Sequence, residues 1–167
     1  MNRQSESQFR QLKMQVLRKV TQCLQLAEAY FQRPFPIPII NYQVRGLKAG
    51  VAYLQENEIR LNRTLLLENR EEFIRQVVPH ELAHLIAYQL FGQIKPHGIE
   101  WKTIMINVFQ LEPHIYHQFD TKNIMKHRFL YECQCGTHHL SRRRHDNCQN
   151  KGISYFCKNC KGKLIYK

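Results

Sequence analysis

Residues 73–86 read FIRQVVPHELAHLI, a largely apolar run with two histidines and a glutamate set into it. Such a run leaves a fold few choices. As a helix it would be buried over most of its surface, and His80, Glu81 and His84 would then need partners, because an unpaired polar group in an apolar interior is costly. Helix geometry offers both histidines the same partner. Residues four apart share a face little more than one turn apart, so His80 and His84 can direct imidazole nitrogens at a single ion. Zinc accepts such nitrogens at about 2.0–2.1 Å and in catalytic sites keeps one position for water. Glu81, next to the first ligand, would project beside that water and take its proton, which the metal makes labile near pH ~7.

Three fixed positions in HExxH are a short pattern, and an amphipathic helix with two exposed histidines and a salt-bridging glutamate would also display it. The apolar setting weighs against that alternative. So does His97, which follows a turn at Gly92 and precedes Gly98, a placement that folds the chain back over the helix. His97 is the favoured third ligand and Glu100 its rival, with Glu100 also suited to orienting a histidine from outside. Trp101 is expected to pack this loop against the helix.

The flanks set out the rest of the front module. Phe9, Leu12, Val16, Val20, Leu24, Ala27 and Phe31 recur every three or four residues, which predicts a helix from about Ser5 to Phe31 with one apolar face. Cys23 falls on its apolar side as a core residue. RPFPIP (33–38) ends the helix, since proline lacks an amide hydrogen and clashes with a preceding turn. The runs 39–44, 50–55 and 58–62 are β-like and suggest a small antiparallel sheet, with Glu56–Asn57 as a tight turn. Residues 64–91 read as helical, with Pro79 as a point where two helices would meet and Gly92 as the stop. A further helix is expected over Ile99–Leu111, before Pro113.

Charge and cysteine divide the chain. Its formal net charge is +12, and residues 122–167 hold eleven Lys or Arg against Glu132 and Asp146, a net +9 that leaves +3 for residues 1–121. A polyanion, nucleic acid first, is the natural partner of such a tail, although a basic surface also serves solubility. Arg142, Arg143, Arg144, His145 and Lys151 are the candidate nucleic-acid contacts, with Tyr131, Tyr155 and Phe156 interleaved, a mixture suited to phosphates and stacked bases of single strands. Five cysteines lie between Cys133 and Cys160. The start, MNRQSESQFRQLK, has no apolar signal core, so a metal site in a reducing, cytoplasmic setting is expected in preference to disulfides. No stretch reaches the ~20 apolar residues of a membrane span, and 43% hydrophobic residues suffice for a core. Cys157-x-x-Cys160 is a good zinc half-site; Cys133-x-Cys135 is tighter than usual, and His138 could replace one thiolate. Cys148 has no paired spacing and reads as a free thiol.

Taken together, VVPHELAHLIAYQLFG…KPHGIEWKTIM resembles the SprT family of minimal zincin-type metallopeptidases, to which the Spartan DNA–protein crosslink proteases are related. AGVAYLQENEIRLNRTLL is similar to the strands and helix that lead into the catalytic helix of that family. Tyr131-x-Cys133-x-Cys135…LSRRRH…Tyr155-x-Cys157-x-x-Cys160 resembles the zinc ribbon of bacterial SprT proteins, so the likeness runs from about Phe9 to Lys167. It implies an α+β fold: a zincin-like core (N-terminal helix, small antiparallel sheet, HExxH helix) over residues 1–125 and a basic zinc ribbon over 126–167. It further implies His80, His84 and His97 as ligands of a catalytic zinc, Glu81 as base, and a structural zinc on Cys133, Cys135, Cys157 and Cys160. The expected activity is hydrolysis of peptide bonds in proteins, DNA-bound ones among them, with substrate along the sheet's edge strand and DNA held without sequence specificity by the ribbon. Two other readings remain open here: a non-proteolytic nucleic-acid-binding zinc protein whose HExxH site is structural or degenerate, and a zinc hydrolase of non-peptide amides.

Overall fold

A computed structural model describes residues 3–115, 119 and 128–167. The chain divides into two compact units, Met1–Asp120 and Thr121–Lys167. The expected module boundary at 125/126 lies outside the described residues.

The first unit begins with α1 (Arg3–Phe31). Its periodic residues Phe9, Leu12, Val16, Val20, Leu24 and Ala27 are buried, with Cys23 among them at 1% exposure. Between Pro34 and Pro36, the Phe35 N–H donates to Glu28 and ties the chain back onto α1. Three strands follow, β1 (Ile39–Asn41), β2 (Gly50–Tyr53) and β3 (Glu58–Leu61), in the order β1-β3-β2. β2 and β3 form the hairpin expected at Glu56–Asn57, with Asn57 at φ 48°. β1, however, runs parallel to β3, so the sheet is mixed and not antiparallel. The loop between β1 and β2 explains the difference: Val44 N donates to Leu61 O and Asn62 N to Ala49 O, so the loop passes the end of β3 and delivers β2 to its far side. Alternation of apolar residues defines which face is buried, but it carries no information about which strand lies next to which.

Asn62 joins this loop to the next helix, α2 (Arg63–Phe91). Its Oδ1 accepts from the Thr64 and Leu65 N–H groups, and its Nδ2 donates to the carbonyls of Gly46 and Lys48, each at 2.9 Å. With the side chain 1% exposed, no water can replace those bonds. We expect Asn62→Ala to cost about 2–4 kcal/mol, the sum of a lost N-cap and stranded carbonyls, measured by urea unfolding.

α2 does not divide at Pro79. Its one interruption is at Arg70 (φ 28°, ψ −101°), and Pro79 is buried within the continuing helix. Val77, Val78, Leu82, Leu85 and Ile86 around it are all at most 5% exposed, and their burial outweighs the roughly 3 kcal/mol that an internal proline costs. Gly92 ends the helix at φ 72°, its N–H donating to Tyr88 O. The single helix expected over 99–111 is instead α3 (Ile99–Thr103) followed by a π-helical turn, Ile104–Val108. The wider turn lets Ile104, Met105, Val108 and Phe109 all reach the core. Among the described residues, no helix is long and apolar enough to cross a membrane.

The second unit is a sheet of β4 (Arg128–Cys133), β5 (Gly136–Ser141) and β6 (Ile165–Tyr166), all antiparallel, in the order β5-β4-β6. A helix not anticipated from sequence, α4 (Arg142–Lys151), follows Ser141 and stops at Gly152 (φ 64°). Among the described residues, the unit's core is Tyr131, Leu140, Cys157 and Leu164, with Phe129, Cys133, Cys148 and Tyr155 packed against it. That is little apolar burial for an independent unit.

Candidate metal centres and cleft

His80 and His84 lie on one face of α2, and the turn after Gly92 brings His97 to them. The three Nε2 atoms form a nearly equilateral triangle: 3.3 Å from His84 to His80, 3.1 Å from His84 to His97 and 3.1 Å from His97 to His80. Three nitrogens bound to one zinc at tetrahedral angles would lie about 3.3–3.4 Å apart. The triangle therefore fits three corners of such a site to within a few tenths of an ångström. Burial first, then the neighbouring His80 and His97, hold the His84 imidazole down at about 3, and burial lowers His97 as well. Both rings are thus neutral near pH 7, with a lone pair for a cation. His80 Nδ1 meets the His114 carbonyl at 3.2 Å. A carbonyl only accepts, so that contact puts the proton on Nδ1 and leaves Nε2 as the donor to a metal. Glu100 is not in this group.

Trp101 is the floor of the triad. Fully buried, it lies 4.8, 5.5 and 4.7 Å from the rings of His80, His84 and His97, and its Nε1–H donates to His80 O. His97 itself takes a left-handed φ of 55°, and the next residue has no room for a side chain: a Cβ on Gly98 would stand 2.9 Å from Lys95 O. The loop is held in a conformation that aims one imidazole. Trp101→Ala should lower stability by about 3–5 kcal/mol and weaken zinc binding, whereas Trp101→Phe should retain most of the packing. Melting curves and competitive zinc titration of the two variants separate these effects.

Glu81, next along the helix from His80, packs against β2 and lines the same cleft as the triad. It is 7% exposed, and its carboxylate accepts from the Ala52 N–H. Burial pushes its pKa up to about 8, against the smaller opposing pull of that N–H and of Lys48. A divalent cation in the triad would favour the ionised form. Among the described residues β2 is an edge strand, paired with β3. It forms one wall of a cleft of about 980 Å³, whose other lining includes His80, Glu81, His84, His97, Val77, His114, Ile115 and Phe119. Sequence reading missed the part played by Gly50, Ala52 and the His114 carbonyl. Gly50, a glycine at the start of a strand, is the one signal that could have pointed to it.

In the second unit the sulfurs of Cys133, Cys135, Cys157 and Cys160 gather within 4.8 Å of one another. Separations of 3.3, 3.5 and 3.5 Å join them in a chain, a little inside the roughly 3.7–3.8 Å edge of a tetrahedral zinc–thiolate site. His138 stands beside this group, its Nε2 3.0 Å from Cys133 Sγ. The N–H groups of Cys160 and Asn159 hold the Cys157 thiol down at about 6, while Cys135 is raised, chiefly by its hydrogen bond with Cys133. A cation held by the four sulfurs would favour their thiolate forms. Arg142, Arg143, Arg144 and Lys151 are exposed on α4. His145 is engaged within the fold: it stacks on Phe129 at 3.6 Å, and its Nδ1 lies 3.1 Å from the Tyr131 hydroxyl. Tyr131 is buried and Tyr155 half-buried under Arg144, whereas Phe156 is 60% exposed.

Three relatives put this geometry in context. The SprT-like family model matches residues 20–117. The chain is similar to Protein SprT of Pasteurella multocida, with 60% identity over 162 residues, 97% of this chain and 98% of that one. Protein SprT of Actinobacillus succinogenes is 56% identical over 161 residues, covering 96% and 95% of the two chains. Protein SprT of Pseudomonas fluorescens is 45% identical over 151 residues, covering 89% and 92%.

Proposed function

This chain belongs to the SprT-like family, and from that premise we propose that it is a zinc-dependent peptidase acting on DNA-associated proteins. The observation that carries the reading is Glu81: a buried carboxylate between the histidine triangle and the edge strand of a cleft. A structural zinc site is closed by four protein ligands and needs no such group. Among the described residues this group offers three ligands, with the cleft beside them.

In this reading an extended segment of substrate adds along the outer edge of β2, pairing with the main-chain groups that Glu81 leaves open. Zinc, when bound, supplies Lewis acidity towards a carbonyl and lowers the pKa of water. His80, His84 and His97 hold it, with Trp101 fixing their rings. Glu81 takes a proton from the attacking water and passes it to the departing amine. Val51, Val77, Ile115 and Phe119 give the cleft an apolar wall beside that exchange.

The four cysteines would hold a second, structural zinc. The exposed Arg142, Arg143, Arg144 and Lys151 would grip phosphates, and exposed Phe156 offers a ring for a base. His145 contributes by bracing the module.

Native mass spectrometry should find two zinc ions per chain; one would remove one of the two assignments. Cleavage of a DNA-bound protein should be faster with DNA than without it. Arg142→Ala/Arg143→Ala/Arg144→Ala should flatten the salt dependence of DNA binding by about 0.7–0.9 in log–log slope for each phosphate that is no longer neutralised. A rate indifferent to DNA would end the recruitment idea and leave the peptidase to stand by itself.

A further inference from the structure

The nearest neighbour of Gly50 across the cleft wall is Glu81. An ideal Cβ placed on Gly50 would lie 2.8 Å from Glu81 Cγ, 2.8 Å from Oε1 and 3.0 Å from Cδ. Three successive parts of one side chain thus occupy the space that any residue larger than glycine would need. The backbone gives no other reason for glycine there, because the φ of Gly50 is not in the left-handed range. Gly50 is also a regular member of the ladder, paired with Leu61. Glycine gives a strand no side chain to pack, so its presence in a regular ladder marks a close approach.

Glu81 has little freedom to yield. It is buried at 7% exposure, Cγ is part of its stem, and the Ala52 N–H two residues along the strand holds the carboxylate. We propose that Gly50 is a positioning residue: the absence of its side chain, together with the Ala52 N–H, sets where the Glu81 carboxylate stands beside the histidine triad. The inference rests on Glu81 as the base proposed above. β2 then has two duties, presenting an edge to substrate and seating the base, so the two are held in register by one strand.

A methyl group at position 50 must drive the carboxylate away by about 0.6 Å or more to restore ordinary contact. A displacement of about 1 Å in a catalytic group costs on the order of 100-fold. The test uses the full zinc-loaded chain with Gly50→Ala and Glu81→Ala made singly and together. Turnover is read on fluorescently labelled casein in the presence of single-stranded DNA, zinc by mass spectrometry, and melting by the emission of Trp101, the chain's one tryptophan. We expect Gly50→Ala to lose about 10- to 100-fold in kcat, with KM little changed and zinc content intact. Melting should fall for Gly50→Ala in the wild-type background and rise for the same change beside Glu81→Ala, where the obstacle is gone and alanine suits a strand better than glycine. Full kcat in Gly50→Ala, or an equal melting shift in both backgrounds, would overturn the proposal. Should the zinc-loaded wild type hydrolyse nothing, the reading of Glu81 as a base fails, and the sign of the melting cycle alone upholds or overturns Gly50 as the residue that seats Glu81.

Discussion

Glu81→Gln should reduce peptide hydrolysis by about 100- to 10,000-fold, the usual range for a positioned general base, while zinc remains bound. Gln keeps the length and shape of Glu, accepts from the Ala52 N–H through its amide oxygen, and leaves the three imidazoles untouched. What it cannot do is take a proton. Equal turnover in the two proteins would remove Glu81 from the chemistry.

The same substitution carries a stability signature of opposite direction. The folded Glu81 carboxyl sits at about 8, above its ordinary value of 4.5. A raised acid costs nothing below the unfolded value; its cost grows as pH rises between the two values and is constant above the higher. Metal-free Glu81→Gln should therefore be the more stable protein at neutral pH, by up to about 3 kcal/mol, with the advantage vanishing near pH 4. Trp101 emission during melting after chelation follows this in the first unit. An advantage that persisted unchanged into acid would mean that burial of charge is not its source.

The second large effect concerns the cysteine cluster. Cys157→Ser, or chelation, should unfold residues 128–167. Among the described residues four buried side chains form the core of that unit, and Cys157 is one of them, whereas structural zinc sites contribute on the order of 10–16 kcal/mol of apparent binding energy. Loss of chemical-shift dispersion in the amides of β4 to β6 is the expected observation, with Trp101 emission unaltered in Cys157→Ser. DNA retention should fall with it. Persistent dispersion in Cys157→Ser would show that the hairpin and α4 fold without the site. His138→Ala is expected to do far less, since His138 flanks the four sulfurs at Cys133 and is not one of them.

Local chemistry explains what could be read from sequence. The stripe from Phe9 to Ala27 needs only helix periodicity, and Gly92 needs only a left-handed φ. His80 and His84 meet because a helix places residues four apart on one face. The Cys157-x-x-Cys160 turn closes on itself through Cys157 N to Gly162 O and Lys161 N to Cys157 O. Each of these depends on neighbours within a few residues.

Other features depended on distant partners. The helix ran on through Pro79 because of the packing around the proline, and β1 paired parallel to β3 because a loop crossed the end of the sheet. His145 turned inward because Phe129 and Tyr131 were there to receive it. The HELAH spacing by itself determined that two histidines and a carboxylate would share one stretch of helix. The tertiary structure decided that His97 would complete the triangle over Trp101, and that Glu81 would be pressed against Gly50 of an edge strand. A helix can direct side chains to a common face, but burial, and with it the state of a carboxylate, is set by what packs across from it.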